Sequence, residues 1–342
     1  MTEPSAAVAL HDTLLRVAGW VPDDLLTDAR ARLARGAGGE VARILAFAGT
    51  RTTLPLTDDD MDLLGDLLTG DGADERLLDA VELAAEEPVL LWRFTAKAPE
   101  HAGDEVDGDL LAAVAGEPGV LGLWRAWRWP ADNAPYPPPR AVHVVEADPT
   151  QLAEGGLPGL TARLQSLLSV AGEQFPQVEV VATVSDPPWY QRMARAVGTL
   201  LWSVRPDVEP VVARVFDMSD PELGPRFAPD HPRMTDESER ERVLWYLRSG
   251  TELLVTLATM PDVADPARGS VVPMTFRTDG RWIWPDAVTY YLEEHRLTPD
   301  PDLVAHIRTT DGPPPGLDTV ALQRAMAVLT QPLDDERIQP TA

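Results

Sequence analysis

The segment from Val271 to Leu297, VVPMTFRTDGRWIWPDAVTYYLEEHRL, constrains the fold of this chain more than any other. Asp279-Gly280 lies between two apolar runs. An Asp-Gly pair in that setting indicates a β-hairpin, because a type I′ turn needs positive φ at both central residues. Pro285 then favours the first turn of a helix. The sequence therefore predicts a strand, a two-residue turn, a second strand and a helix, in that order.

Five large aromatic residues fall within sixteen positions of this segment, and such a cluster builds either a compact core or a recognition surface. The core is the favoured interpretation, and the surface is kept as an alternative. Trp, Tyr and Arg are enriched at the energetic centres of protein interfaces. On the surface interpretation, the partner-binding residues are Arg277, Arg281, Trp282, Trp284 and Tyr290.

The chain has 342 residues and a formal net charge of −26, with 55 acidic residues against 29 basic ones. The acidity is spread along the sequence, and no segment is basic. A groove that neutralises nucleic-acid phosphates is therefore not expected, and an anionic membrane would repel the chain. The charge would instead steer a basic protein partner toward it.

The chain contains no cysteine, which excludes disulfides, thiolate catalysis, zinc fingers and iron–sulfur clusters. The first residues lack the charged and apolar regions of a signal peptide, and no apolar run reaches eighteen residues. We therefore expect a cytoplasmic protein without a membrane-spanning segment.

No catalytic motif stands out. The six histidines are scattered without HExxH spacing, and GxSxG and P-loop motifs are absent from the sequence. The sequence therefore predicts no catalytic residue, no metal site and no cofactor. An enzyme whose site is assembled from dispersed Arg, Asp, Glu and His, with a nucleotide-modifying or hydrolytic activity, stays open as an alternative.

The hydrophobic periodicity changes along the chain and predicts an α+β protein in three parts. Residues 1–87 read as a helical bundle, with Thr57 capping one helix and the last helix across 77–85. Residues 88–217 have the order β-α-β-β-α-β of a ferredoxin-like sandwich, followed by a helix across 189–204. Residues 234–331 form a small domain of hairpin and helices, and Asp236 is predicted to cap its first helix. A Pro-rich linker, 218–233, precedes it and a disordered tail, 332–342, follows it.

The strand sequence VLGLWRAWRW, residues 120–129, interleaves Arg125 and Arg128 with tryptophans. Rings and guanidinium planes can stack on nucleic-acid bases. A structural or protein-contact face has the same composition, and the acidity of the chain favours that interpretation.

The C-terminal sequence FRTDGRWIWPDAVTYYLEEH, followed by TPDPDLVAHI, resembles a module of an uncharacterised actinobacterial protein family. Some proteins with this module are encoded with, or attached to, polymorphic-toxin proteins. The resemblance covers about residues 243–308 and implies a role in bacterial conflict, without implying any catalytic residue.

Together these features predict a non-enzymatic factor that binds a protein, as an immunity or accessory protein. The alternatives are the enzyme described above and a homodimeric scaffold.

Overall fold

The structure, a computed structural model, divides into two compact units, Met1–Pro206 (unit 1) and Asp207–Ala342 (unit 2). It is 43% helix and 21% strand, which confirms the α+β class. None of its described helices is both long and apolar enough to cross a bilayer. The predicted tail, 332–342, lies outside the described residues. These are 5–84, 91–100, 108–132, 134, 136–183, 185–220, 224–310 and 312–330.

Unit 1 begins with four helices: α1 Ala6–Arg16, α2 Asp23–Ala34, α3 Gly38–Gly49 and α4 Asp58–Gly70. The predicted cap at Thr57 is confirmed. Its hydroxyl accepts a hydrogen bond from the Asp60 N–H, and the Asp60 carboxylate accepts one from the Thr57 N–H. This reciprocal capping box satisfies two backbone donors at the start of α4.

The helix predicted across 77–85 is wrong for its described part. The chain forms a single 3-10 turn, Glu75–Leu78, and Leu83 then makes a parallel bridge with Leu54. The Leu54 N–H donates to the Glu82 carbonyl at 3.0 Å. This pairing requires an extended chain and so replaces the helix.

A five-stranded sheet follows the helices of unit 1. Its strands are β1 Trp92–Thr95, β2 Val120–Pro130, β3 Arg140–Ala147, β4 Gln177–Ala182 and β5 Thr199–Ser203. The helices between them are α5 Gly108–Gly116, α6 Gly156–Val170 and α7 Trp189–Val197. Strand β2 pairs antiparallel with β1, β3 and β5, while β3 pairs in parallel with β4.

The predicted element order is present from β1 to β4, but the ferredoxin-like sandwich is not confirmed. In a split βαβ unit, another strand separates the two parallel strands that a helix joins. Here β3 and β4, joined by α6, are direct neighbours, and β1 runs antiparallel beside β2.

The helix predicted across 189–204 ends at Val197, and the residues after Gly198 form β5. Gly198 has an extended backbone and lies between two carbonyls. A Cβ atom built on it would be 2.7 Å from the Ala194 oxygen and 3.0 Å from the Arg125 oxygen. This close approach brings the chain back onto β2, and helical periodicity alone does not reveal it.

Helices and sheet of unit 1 share buried polar contacts as well as an apolar core. Arg30 on α2 and Glu179 on β4 form an ion pair at 2.6 Å, with side chains 1% and 0% exposed. Asp23 on α2 accepts a hydrogen bond from Arg128 on β2 at 2.6 Å. Because of these contacts, residues predicted as two domains, 1–87 and 88–217, belong to a single unit up to Pro206.

Unit 2 is built on a four-stranded sheet and two short ribbons. The sheet contains β6 Val211–Val212, β9 Thr251–Leu254, β12 Phe276–Thr278 and β13 Trp282–Pro285, in the order β6-β13-β12-β9. The ribbons are β7 Met218–Asp220 with β8 Gly224–Arg226, and β10 Thr259–Pro261 with β11 Ser270–Pro273. A 3-10 turn, Pro266–Arg268, precedes β11, and the helices are α8 Glu237–Ser249, α9 Asp286–His295, α10 Pro301–Thr309 and α11 Thr319–Thr330.

The division between the units falls at 206/207 instead of the predicted 217/218. The reason is that β6 pairs in parallel with β13, which brings residues 207–217 into unit 2. The predicted linker, 218–233, holds the β7–β8 ribbon among its described residues. The predicted cap of α8 is confirmed, because Asp236 accepts hydrogen bonds from the Ser238 and Glu239 N–H groups.

Candidate functional site

The predicted hairpin is present in unit 2, but its turn differs from type I′. The Asp279 N–H donates to the Trp282 carbonyl at 3.3 Å, so the turn is centred on Gly280 and Arg281, and of these two only Gly280 has positive φ, at 88°. The Asp279 carboxylate accepts hydrogen bonds from the Arg281 and Trp282 N–H groups at 2.8 and 2.6 Å. This side chain closes the turn together with the backbone hydrogen bond between Asp279 and Trp282.

Asp279 also joins the hairpin to two helices. Its Oδ2 atom accepts the Tyr246 hydroxyl of α8 at 2.7 Å and lies 2.6 Å from His306 Nε2 of α10. Burial raises the pKa of Tyr246 above its ordinary value, and the hydrogen bond to Asp279 raises it further. Tyr246 is therefore a hydrogen-bond donor that fixes the turn.

Trp282 and Trp284 lie in the core of unit 2, with 8% and 0% of their surface exposed. Both belong to one apolar cluster that includes Leu247 and Val288, and the Trp284 indole donates to the Leu247 carbonyl at 3.1 Å. In this fold the two rings stabilise the hairpin and helix and present no surface to a partner.

Tyr291 and Tyr290 belong to a second apolar cluster, apart from the two tryptophans. Tyr291 is buried and packs edge-on against Phe216 and Phe227. Tyr290 donates its hydroxyl to Asp262 at 3.0 Å and accepts a hydrogen bond from Arg268 at 3.2 Å. Tyr290 is thus part of a polar network on the inner side of α9.

The two arginines of the predicted surface are placed differently. Arg277 forms ion pairs with Asp286 at 2.8 Å and with Glu252 at 2.9 Å, and it also donates to the Gly250 carbonyl. Its charge is therefore neutralised by carboxylates within unit 2. Arg281, beside the turn, is exposed.

Unit 2 contains three His–Asp pairs that sequence reasoning missed. His306 lies against Asp279, His295 against Asp262 at 2.7 Å, and His231 against Asp217 at 2.8 Å. Each pair joins residues far apart in sequence. No local spacing could reveal them, because the contacts depend on how strands and helices pack.

Two of the clefts on the described part of unit 2 have volumes of about 220 and 210 Å³. In the first, Arg242 donates to three carbonyls at the end of α10, and Arg308 pairs with Glu239. In the second, Arg214 pairs with Asp300, and His231 pairs with Asp217. The ionisable groups that line both clefts therefore have partners within the chain.

The arginines and tryptophans of β2 are likewise engaged in unit 1. Arg128 donates to Asp23 and to the Tyr190 hydroxyl, and its guanidinium lies 4.0 Å from the ring centroid of Trp92. Trp124 is fully buried. Arg128 and Trp124, which lie on the same face of β2, are therefore buried within unit 1.

Three exposed apolar side chains of unit 2 lie at the end of β9 and just after it. Leu254, Val255 and Leu257 are 46%, 66% and 100% exposed, and we call these three side chains the 254–257 patch. Between them, the Thr256 N–H donates to Thr275 Oγ1 at 3.3 Å, and the Thr275 hydroxyl donates back to the Thr256 carbonyl at 3.2 Å. The backbone of the patch is thereby held while its side chains face solvent.

No family model matches this sequence, and neither a curated protein nor a solved structure matches the chain. Among the residues that the structure describes, no three His, Asp or Glu side chains are grouped closely enough to hold a metal ion.

Proposed function

We propose that this protein is a non-enzymatic factor that binds a basic protein through the 254–257 patch. The observation that carries this proposal is the complete exposure of Leu257 beside Val255 on a backbone segment held by Thr275. Leu254, Val255 and Leu257 fall within four positions. Exposed apolar side chains that form one patch are typical of protein-interaction sites. Burial of one such side chain in an interface contributes about 1.5–3 kcal/mol.

The two hydrogen bonds to Thr275 also favour binding. A segment already held in one conformation loses less entropy when a partner docks on it. Strand β9 is an edge strand of its sheet, so the patch begins at a sheet edge. An extended segment of a partner could lie along such an edge.

The charge of the chain supports the choice of a basic partner. A net charge of −26 attracts cationic proteins over long distances and raises their association rate. The predicted role as an immunity or accessory factor has its support in the resemblance of residues 243–308 to a module found beside polymorphic toxins. That role and a cytoplasmic location stay predictions.

The test compares wild-type protein with Leu257→Asp and with a matched control, Val170→Asp. Val170 is 86% exposed and lies at the end of α6 in unit 1. A partner captured from native lysate is identified, purified and measured by calorimetry. We expect a basic partner whose dissociation constant rises at least about tenfold with Leu257→Asp and stays unchanged with Val170→Asp.

The association rate of that partner should fall steeply with salt concentration. Equal affinity for the wild type and Leu257→Asp would contradict the proposal. Self-association of the purified chain that Leu257→Asp abolishes would contradict it as well, and would favour the homodimeric scaffold.

A further inference from the structure

His231 has an acceptor on each side of its ring. Its Nδ1 atom lies 2.8 Å from Asp217 Oδ2, and its Nε2 atom lies 2.9 Å from the Thr298 carbonyl oxygen. The side chain of His231 is 11% exposed and that of Asp217 is 36% exposed, so the imidazole is the more buried member of the pair. The chemical state of these two partners decides the protonation state of the imidazole.

Both partners can only accept a hydrogen bond. Thr298 contributes a backbone carbonyl, which has no proton to give. Burial would raise the pKa of Asp217, but the Ala228 N–H and His231 hold it below its ordinary value, so Asp217 is a carboxylate at neutral pH. The Ala228 N–H occupies the same Oδ2 atom at 2.6 Å.

A neutral imidazole donates from one nitrogen only, whereas the imidazolium donates from both. We infer that His231 is a protonated latch, which holds the segment 217–231 to the segment after α9 only while both ring nitrogens carry a proton. The latch joins two parts of unit 2 that are 67 residues apart at their contact. Nothing in the proposed binding function requires it.

Loss of the proton breaks one of the two hydrogen bonds. The carboxylate of Asp217 is the stronger acceptor, so the remaining proton stays on Nδ1 and the bond to Thr298 is lost. Thr298, Pro299 and Asp300 form one wall of the 210 Å³ cleft that His231 also lines. The contact with Thr298 is therefore made by the protonated ring and lost in the neutral ring.

Other charged groups surround this latch. Arg214 and Asp300, which pair at 3.1 Å, face His231 across the cleft, and Asp302 lies near Arg214. Asp230 and Arg233 flank His231 in the sequence, and Arg296 precedes Thr298. The Phe227 ring packs edge-on against the imidazole, at 4.9 Å between centroids.

The test is nuclear magnetic resonance of the full chain with ¹⁵N-labelled histidine at pH 6.0 and pH 8.5. The signal of His231 is identified by its loss in His231→Gln. At pH 6.0 we expect both ring nitrogens of His231 to have the chemical shift of protonated nitrogen. At pH 8.5 only Nδ1 should keep it. A neutral ring at pH 6.0 would overturn the inference.

Amide exchange supplies the structural readout. The Thr298 N–H donates to the Pro232 carbonyl at 3.0 Å, next to the latch. After correction for base catalysis, its protection should fall about tenfold between pH 6.0 and 8.5. The Val304 N–H within α10 is the matched control and should not change. In His231→Gln the Thr298 protection should be low and independent of pH, and protection that falls with pH in this variant would also overturn the inference.

Discussion

Gly250 and Trp284 are in such close contact that only glycine fits beside the indole ring. A Cβ atom at position 250 would lie 2.4 Å from Cζ2 of Trp284, and Arg277 Cβ lies on the same side at 3.3 Å. The end of α8 and the second strand of the hairpin therefore fit together through the absence of a side chain.

Gly250→Ala should destabilise unit 2 by about 1–3 kcal/mol, because the buried indole has no room to move away. The free energy of unfolding in urea measures this effect. Gly316→Ala is the matched control, since a Cβ there meets nothing within 4 Å, and it should change stability by no more than about 0.5 kcal/mol. Equal effects of the two substitutions would contradict the close fit.

Trp284→Ala should lower the free energy of unfolding by about 3–5 kcal/mol, because it leaves a cavity in the core and removes the donor to Leu247. Trp245→Ala on α8, where the ring is 50% exposed, should cost no more than about 1 kcal/mol. Denaturant titration followed by circular dichroism distinguishes the two. A folded, equally stable Trp284→Ala protein would show that the ring is a surface group after all.

Arg30→Met and Glu179→Gln should each destabilise unit 1 by about 3–5 kcal/mol, since each leaves a buried polar or charged group without its partner. The double variant Arg30→Met/Glu179→Gln should lose much less than the sum of the single losses. A double-mutant cycle on the unfolding free energies measures the coupling. Additive losses would mean that the two groups do not interact.

Asp262 should make the stability of unit 2 depend on acid pH. Burial would raise the pKa of Asp262, but hydrogen bonds from His295, Asp265, Ala264 and Tyr290 hold it below the ordinary value. Its folded pKa is therefore lower than its unfolded one. The stability it contributes is complete above the unfolded pKa of about 4 and is lost as the pH falls through the folded value.

Asp262→Asn should accordingly be less stable than wild type at pH 7, by about 1–3 kcal/mol. The difference should shrink as the pH falls below the unfolded pKa of about 4, because the wild-type carboxyl becomes protonated there as the pH passes its lower folded value. Thermal unfolding between pH 3 and 7 measures it. A difference that stays constant over this range would exclude the carboxylate as its cause.

Local chemistry in the sequence predicted the elements that depend on a few neighbouring residues. The Asp279-Gly280 pair, Thr57 before three aspartates and Asp236 before Glu239 each fix a turn or helix start through contacts within a few positions. The helix predicted across 189–204 was wrong beyond Gly198. The helix ends there because Gly198 lies between carbonyls of α7 and β2, which meet only in the folded unit. The ferredoxin-like sandwich was not confirmed for a similar reason, since element order does not determine which strands pair.

The same distinction between local contacts and contacts made only on folding applies to the candidate site. The aromatic cluster was correctly favoured as core, because Trp282 and Trp284 share one face of a strand. The His–Asp pairs could not be predicted, since 14, 33 and 27 positions separate their members. The exposure of Leu257 could not be predicted either, because a run of apolar residues beside a strand indicates buried side chains.

Strand β6 pairs with β13 across about 70 residues of intervening chain, and this separation sets the order in which unit 2 can assemble. Local pairings such as β12 with β13 close short loops and form early. During synthesis Val211 and Val212 leave the ribosome long before Trp282 and Ile283 exist to receive them. The first strand of unit 2 to be synthesised is thus the last to join its sheet. Until β13 has been synthesised, Val211 and Val212 have no strand to pair with.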